Sequence, residues 1–130
     1  MLDDLYREQI IDRYKRPRFR GRLDDADARY EDENPLCGDH IVVYLKFDPQ
    51  GRAQARFEGQ GCAISMASAD LLMEYIQGKT AAELRSVTKE DLLGLIGLQL
   101  SPSRLKCALL PYKAFKAALY GLNAAPTTEA

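Results

Sequence analysis

The sequence predicts an α+β domain in which one helix precedes a small antiparallel sheet and several helices follow it. Apolar residues alternate in the stretch 53–59 and occupy nearly every position of 41–47, which are the patterns of a half-buried and of a fully buried strand. Before and after these stretches the apolar residues recur at helical spacing. Because strands and helices are grouped rather than alternating along the chain, a sheet segregated from its helices is favoured over a parallel one.

Length and charge indicate the class of protein. The chain has 130 residues, 46% of them apolar, and a formal net charge of −1. Such a length suits one domain with a core that needs no disulfide bonds. We expect a single domain over residues 1–122 and a flexible tail over residues 123–130. The nearly balanced charge gives no reason to expect a nucleic-acid partner.

Cysteine content and the N-terminus indicate the compartment. Three cysteines are an odd number, which excludes a complete disulfide framework and favours a reducing environment. The N-terminus is acidic and no apolar signal-peptide region follows it. No segment approaches the ~20 apolar residues of a membrane span. We therefore expect a soluble, cytoplasmic protein without a membrane partner, whose thiols act as thiols.

The first helix is expected over residues 3–16, with Asp3 or Asp4 as its cap. Pro17 ends it, because the residue before a proline avoids helical angles. A basic run overlaps this end, and we interpret it as solvated surface, with a docking patch for an acidic partner as the alternative. The run consists of Arg13, Lys15, Arg16, Arg18, Arg20 and Arg22.

The sheet is expected to have three strands. A short edge strand covers residues 28–33, and Asn34-Pro35 marks the turn after it. The stretch 41–47 is apolar at nearly every position, so both of its faces are expected to be covered. It should pair with 53–59 as a hairpin through the turn 48–51.

Helical spacing returns over residues 64–77, and Gly78 suits the cap that follows a helix. Ser101 or Ser103 can cap the last helix, which Gly121 is expected to end. Two short helices between them start at capping boxes, Thr80 with Glu83 and Thr88 with Asp91. The buried stripe of the last helix is expected to be Leu105, Leu109, Tyr112, Phe115 and Leu119.

Each of the three cysteines has a setting that favours a reactive or metal-binding thiol over an inert buried one. Cys37 lies in a turn rich in Asn, Pro, Gly and Asp, and such turns are exposed. Cys62 and Cys107 each fall near a predicted helix N-terminus, where a thiolate is stabilised. We therefore expect the fold to bring the three thiols together as a metal or iron–sulfur site.

Asp39 is the candidate fourth ligand, because it lies two residues after Cys37 in the same turn. Three thiolates and a carboxylate would complete a tetrahedral zinc site. The same four groups could hold a [2Fe–2S] cluster, with the harder oxygen as the weak corner from which the cluster is released. Lys106 is not a ligand when protonated, but beside Cys107 it can tune the charge of the site. His40, the single histidine, is expected at the surface.

These motifs together resemble the iron–sulfur scaffold family that includes IscU, SufU and the N-terminal domain of NifU. The resemblance runs from about Leu2 to Gly121. It is carried by Asn34-Pro35, Cys37-Gly38-Asp39, Gly59-Gln60-Gly61-Cys62-Ala63-Ile64-Ser65, Gly78-Lys79-Thr80 and Arg104 with Lys106-Cys107.

The resemblance implies a small antiparallel sheet with a metal site at one end, formed by Cys37, Asp39, Cys62 and Cys107. It implies iron and a [2Fe–2S] cluster as cofactors, or zinc in the isolated or sulfur-transferring state. Cys107 is the candidate sulfur acceptor, with Cys37 and Cys62 as alternatives, and Lys106 and Arg104 are supporting residues. The implied partners are a cysteine desulfurase, which supplies sulfur, and the acceptor or carrier proteins that take the cluster.

The chain departs from both main branches of this family. Lys106 stands where IscU-like members have histidine, and Cys62-Ala63-Ile64-Ser65 is similar to SufU. The insertion of SufU-like members before the third cysteine is absent. Leu100-Ser101-Pro102-Ser103-Arg104 replaces the chaperone-binding motif of IscU, so a dedicated Hsp70-type chaperone is not implied. Two functions stay open: a cluster-assembly scaffold, which is favoured and is not an enzyme, and a zinc-dependent sulfurtransferase.

Overall fold

The computed structural model of the protein describes residues 2–35 and 38–128, and it confirms the α+β architecture. Within these residues, one helix precedes a three-stranded sheet and four helices follow it. In chain order the elements are α1 (Leu2–Lys15), β1 (Ala28–Asn34), β2 (Asp39–Phe47), β3 (Ala53–Gln60), α2 (Ala63–Ile76), α3 (Ala81–Arg85), α4 (Lys89–Ile96) and α5 (Pro102–Thr128).

The sheet is antiparallel, with β2 between β1 and β3. Its inner face carries side chains with no exposure at all, including Ile41, Val43 and Phe57. Helices α2 and α5 pack on the sheet and close the core. Because His40 pairs with Gln60, the start of β2 lies at the same end of the sheet as the end of β3, and Asp39 lies there opposite Asn34 of β1.

The outer face of β2 is also covered, as the apolar sequence of this strand predicts. Val42 is 5% exposed and Tyr44 is 3% exposed. The guanidinium of Arg29 lies 5.9 Å from the centre of the Tyr44 ring, and the Tyr44 hydroxyl donates to Glu58. Long polar side chains on the neighbouring strands therefore cover an apolar strand without a second layer of helices.

A buried ion pair holds α1 against α2. The guanidinium of Arg13 donates to the Asp70 carboxylate at 2.8 Å, and neither side chain is more than 8% exposed. The other oxygen of Asp70 accepts the backbone N–H groups of Arg18 and Phe19 at 2.8 and 2.7 Å. Asp70 thus fixes both the helix and the loop that leaves it.

This arrangement changes the interpretation of the basic run. Besides Arg13, Arg16 and Arg18 contact Asp12, and Arg22 contacts Asp24. The Arg20 guanidinium donates to the carbonyl of Gly59. Most of these cations have a partner within the chain, and Arg13 is buried, so the run is not simply the solvated surface that the sequence suggests.

The helix starts after the sheet follow the sequence closely. Both capping boxes are present, Thr80 with Glu83 on α3 and Thr88 with Asp91 on α4. Gly78 follows α2 with a positive φ of 77°.

The last helix departs from the sequence prediction in two ways. It continues to Thr128 rather than ending at Gly121. Phe115 and Leu119 of the predicted stripe are buried, but Leu109 is only half-buried, and the buried face also includes Ala108, Leu110, Ala114 and Ala118. Small alanine side chains let the helix approach the sheet closely. The sequence prediction used only large apolar residues and therefore did not include these alanines. In the part of the chain that the structure describes, no helix has the length and apolarity needed to cross a bilayer.

Candidate metal centre

Three of the four predicted ligands converge at one end of the sheet. One ligand atom from each of Asp39, Cys62 and Cys107 lies within 4.8 Å of the others. Asp39 comes from the start of β2, Cys62 from the residue before α2, and Cys107 from α5. The fourth predicted ligand, Cys37, lies outside the described residues.

Cys62 caps α2 with its own side chain. Its backbone is extended, with φ −71° and ψ 167°, and the N–H of Ser65 points at its sulfur from 3.5 Å. The sulfur therefore lies where the helix N-terminus presents N–H groups without intrahelical partners and a positive potential. The expected position of Cys62 at a helix start is confirmed, and its side chain is exposed.

Asp39 is buried rather than solvated in a turn, with 1% exposure. Its Oδ1 accepts the backbone N–H of Cys62 at 3.0 Å, and its Oδ2 lies 3.8 Å from the Cys62 sulfur. The carboxylate therefore has two functions available: it fixes the residue that starts α2, and it offers an oxygen to whatever the thiols bind.

Gly61 makes this approach possible, a role that could not be predicted from the sequence. A Cβ at this position would lie 2.5 Å from Oδ1 of Asp39 and 2.6 Å from the hydroxyl of Ser65. No side chain fits at that separation, so the Asp39 carboxylate occupies the space that a larger residue at position 61 would need.

Ser65 is a second residue whose contribution the sequence did not predict. Ser65 is fully buried, and its hydroxyl donates to the Cys62 carbonyl at 3.1 Å. The same hydroxyl oxygen of Ser65 lies 3.7 Å from the Cys62 sulfur. A serine three residues after a helix-capping cysteine was the available signal, because it places a hydroxyl in the first helical turn beside the cap.

Cys107 differs from its predicted setting. It is the sixth residue of α5, beyond the first turn, and is 8% exposed. The influence of a helix terminus fades within one turn, so the start of α5 does not activate this thiol. Ser101 rather than Ser103 caps the helix, since its hydroxyl accepts the N–H of Arg104 at 3.4 Å.

Lys106 and Arg104 are exposed and border the site. Both line a groove of about 560 Å³ together with Cys62 and Cys107. His40 turns instead to Glu31 on the neighbouring strand, and this hydrogen bond lowers the pKa of the Glu31 carboxyl. His40 is not among the described residues that converge on the centre.

The donor set fits a thiophilic metal. Four ligands around zinc, with zinc–sulfur bonds of ~2.3 Å, lie about 3.8 Å apart in a tetrahedron. The observed upper limit of 4.8 Å needs only small side-chain rotations to reach this separation. An iron–sulfur cluster with one oxygen ligand would also use this kind of donor set, with soft thiolates and one hard carboxylate bound to its iron atoms.

Comparison with known proteins also connects the chain to zinc and iron–sulfur proteins. The family model for the NifU-like N-terminal domain matches residues 5–128. The zinc-dependent sulfurtransferase SufU of Bacillus subtilis is 38% identical, with 88% of this chain and 89% of SufU aligned. The iron–sulfur cluster assembly scaffold protein IscU of Thermotoga maritima is 36% identical, covering 88% of this chain and 92% of its own.

One solved structure is similar to this chain in both fold and sequence. FiSufU from Fervidobacterium islandicum AW-1, described as a candidate iron–sulfur cluster assembly scaffold for the SUF system, superposes with a TM-score of 0.72. It is 32% identical, and the match covers 86% of this chain and 94% of FiSufU. Relatives named as scaffold and as sulfurtransferase are therefore both represented among the similar proteins.

Proposed function

The chain belongs to the family of NifU-like N-terminal domains, and on that premise we propose that it is a scaffold for iron–sulfur cluster assembly. It receives sulfur from a cysteine desulfurase and assembles a [2Fe–2S] cluster with iron, while an external electron donor reduces the transferred persulfide sulfur to sulfide. The ligands are Cys37, Asp39, Cys62 and Cys107. The finished cluster passes to acceptor or carrier apo-proteins.

The observation that carries the proposal is a convergent but open donor set. The ligand atoms of Asp39, Cys62 and Cys107 come within 4.8 Å, and the two thiols line an open groove. An exposed Cys62 beside a groove suits a site through which cargo enters and leaves.

Sulfur enters by transfer between thiols. A thiolate of this chain attacks the outer sulfur of a cysteine persulfide on the donor protein, the donor's S–S bond breaks, and the donor cysteine leaves as a thiolate. Cys107 was the acceptor candidate from the sequence, but its 8% exposure makes it less accessible than the exposed Cys62. We therefore assign the first acceptance to Cys62 in the metal-free protein.

Asp39 accounts for release. Oxygen binds cluster iron less well than a thiolate does, so the Asp39 corner is the one that an incoming acceptor thiol displaces first. Because Oδ1 of Asp39 is already held by the Cys62 N–H, the carboxylate stays in place when it loses the iron. The empty scaffold thus keeps its geometry for the next cluster.

A second candidate function is zinc-dependent sulfur transfer. The specific observation in its favour is the short separation of the three ligand atoms, at most 4.8 Å, which is close to what a single tetrahedral ion needs. In this case zinc would be the resident metal, held by Cys37, Asp39, Cys62 and Cys107, and it would favour the thiolate form of its cysteine ligands. Lys106 beside Cys107 would offset the negative charge of the three thiolates.

Metal content and colour of the anaerobically purified protein distinguish the two candidates. A scaffold becomes red-brown on reconstitution with iron and sulfide and transfers the colour to an apo-ferredoxin. A sulfurtransferase is colourless, holds one zinc per chain tightly, and forms a persulfide with a desulfurase while zinc remains bound. Protein that binds neither zinc nor a cluster, with its fold intact, would contradict both.

A further inference from the structure

A second groove continues the one at the thiols along α5. The first, of about 560 Å³, contains Cys62 and Cys107, and the second, of about 370 Å³, runs beside Leu109 and Leu110. Asn34 and Lys106 line both grooves, so they form one continuous depression between α5 and the end of β1. We call this depression the α5 trough.

The α5 trough has cations along its whole length. Arg104 and Lys106 line its thiol end, and Lys113 lines its far end. Among the described residues, none of the ion pairs involves these three side chains. They differ in this respect from the basic run after α1, most of which is paired internally. Glu33 is the one carboxylate among the described residues of the trough lining, so positive charge predominates.

The dimensions of the trough fit an extended segment better than a small molecule. From Pro102 to Lys113 the helix advances about 16 Å at its rise per residue. An extended chain of about five residues covers the same length. Apolar surface from Pro35, Leu109 and Leu110 lines the wall between the cations. The occupant should therefore alternate acidic and apolar side chains.

We propose that the α5 trough receives an extended acidic segment of the sulfur-donating protein. Lys113 lies six residues beyond Cys107, about 9 Å along the helix axis. Three residues of an extended chain cover about the same distance. When the sulfur of the segment reaches Cys62, an acidic side chain about three residues away from that sulfur therefore lies beside Lys113. The inference rests on the proposed function, since it names the chemistry of the donor at that site.

Short synthetic peptides test this register with metal-free, reduced protein. Each peptide has about six residues, enough to span the trough, and one cysteine activated as a 2-pyridyl disulfide. Aspartate, asparagine or lysine stands about three residues from the cysteine, on either side of it. The Cys62 thiolate attacks the peptide sulfur, a protein–peptide disulfide forms, and 2-thiopyridone leaves and is measured by its absorbance. Cys62→Ser identifies the share of the rate that belongs to Cys62.

The expected result is that the aspartate peptide reacts at least about threefold faster than the lysine peptide at low salt, with asparagine between them. The difference should vanish near 1 M salt, where the screening length is only about 3 Å. Lys113→Glu should reverse the order of the two charged peptides, and Lys113→Gln should abolish the preference. Lys89→Glu, an exposed residue of α4 outside the trough lining, is the matched control and should leave the order unchanged.

Equal rates for the charged peptides with wild-type protein would overturn the proposal. A preference that persists unchanged in Lys113→Glu would overturn the assigned register. Neither result involves metal or cluster, so both are independent of the experiments that test the proposed function. A protein that fails to bind zinc or a cluster but keeps the charge preference contradicts the proposed function alone.

Discussion

The Asp39 carboxylate and Cys62 are joined twice. One oxygen accepts the Cys62 backbone N–H at 3.0 Å, and the other lies 3.8 Å from the Cys62 sulfur. The same side chain that would ligate a metal therefore also fixes the N-terminus of α2. A substitution at Asp39 therefore affects both the metal site and the start of α2, so two variants are needed to separate the two effects.

Asp39→Asn and Asp39→Ala separate the cap from the ligand. The asparagine keeps an oxygen for the Cys62 N–H, so we expect the free energy of unfolding of the metal-free protein to change little. The alanine leaves that partly buried N–H unpaired and should cost about 1–3 kcal/mol in urea unfolding. Both variants lose the anionic ligand.

The consequence for the metal depends on the function. In a scaffold, Asp39→Ala should give a cluster that survives longer and transfers more slowly to an apo-ferredoxin, because the weak corner is gone. In a sulfurtransferase it should lose zinc faster to a chelator and accept less sulfur. No change in either cluster lifetime or zinc retention would show that Asp39 is not a ligand.

Gly61→Ala tests the close packing beneath the site. Its Cβ would meet Asp39 and Ser65 at 2.5 and 2.6 Å, so Asp39 must move or the backbone must shift. We expect a loss of about 1–3 kcal/mol in stability and faster zinc release to a chelator. Gly94→Ala in α4 is the control. Nothing lies within 4 Å of its Cβ, and alanine there should stabilise the helix by about 0.5–1 kcal/mol. Equal effects of the two substitutions would argue against the contact.

Lys106→Ala is expected to slow sulfur transfer from a desulfurase while leaving zinc affinity largely intact. The ammonium borders both thiols without being a ligand, so its loss changes charge and not coordination. Transfer rates and chelator competition measured on the same preparation check this. Loss of zinc from a folded Lys106→Ala protein would give Lys106 a more direct role than assigned.

Arg13→Met should destabilise the protein by about 3–5 kcal/mol in urea unfolding, because it leaves the fully buried Asp70 carboxylate without its cation. The loss should depend little on salt. Arg16→Met removes an exposed pair with Asp12 and should cost no more than about 0.5 kcal/mol. Similar losses for the two variants would mean that the Arg13–Asp70 pair is not the anchor of α1.

Features set by a few neighbouring residues could be predicted from the sequence. The capping box of Thr80 with Glu83 needs contacts only three residues apart, and it forms as predicted. The position of Cys62 before α2 follows from the change from strand to helical spacing. The convergence of Cys62, Asp39 and Cys107 was predicted from their local settings, and the family motifs strengthened that prediction.

Features that depend on distant packing could not be predicted. The space above Gly61 is filled by Asp39, which strand pairing brings from 22 residues away. The buried Asp70 is satisfied by Arg13 and by the loop after α1, so its role depends on how two helices dock. An aspartate within an apolar helix was a signal that a partner must exist, since a buried carboxylate needs compensation. It could not identify that partner.

X-ray absorption at the zinc edge tests the central claim most directly. That claim is that Cys37, Asp39, Cys62 and Cys107 form one metal centre. With one zinc bound per chain, we predict three sulfur neighbours near ~2.3 Å and one oxygen near ~2.0–2.2 Å. Cys37→Ser, Cys62→Ser and Cys107→Ser should each reduce the sulfur count by one. A wild-type first shell with one sulfur or none, made up of nitrogen and oxygen, would contradict the four-ligand site.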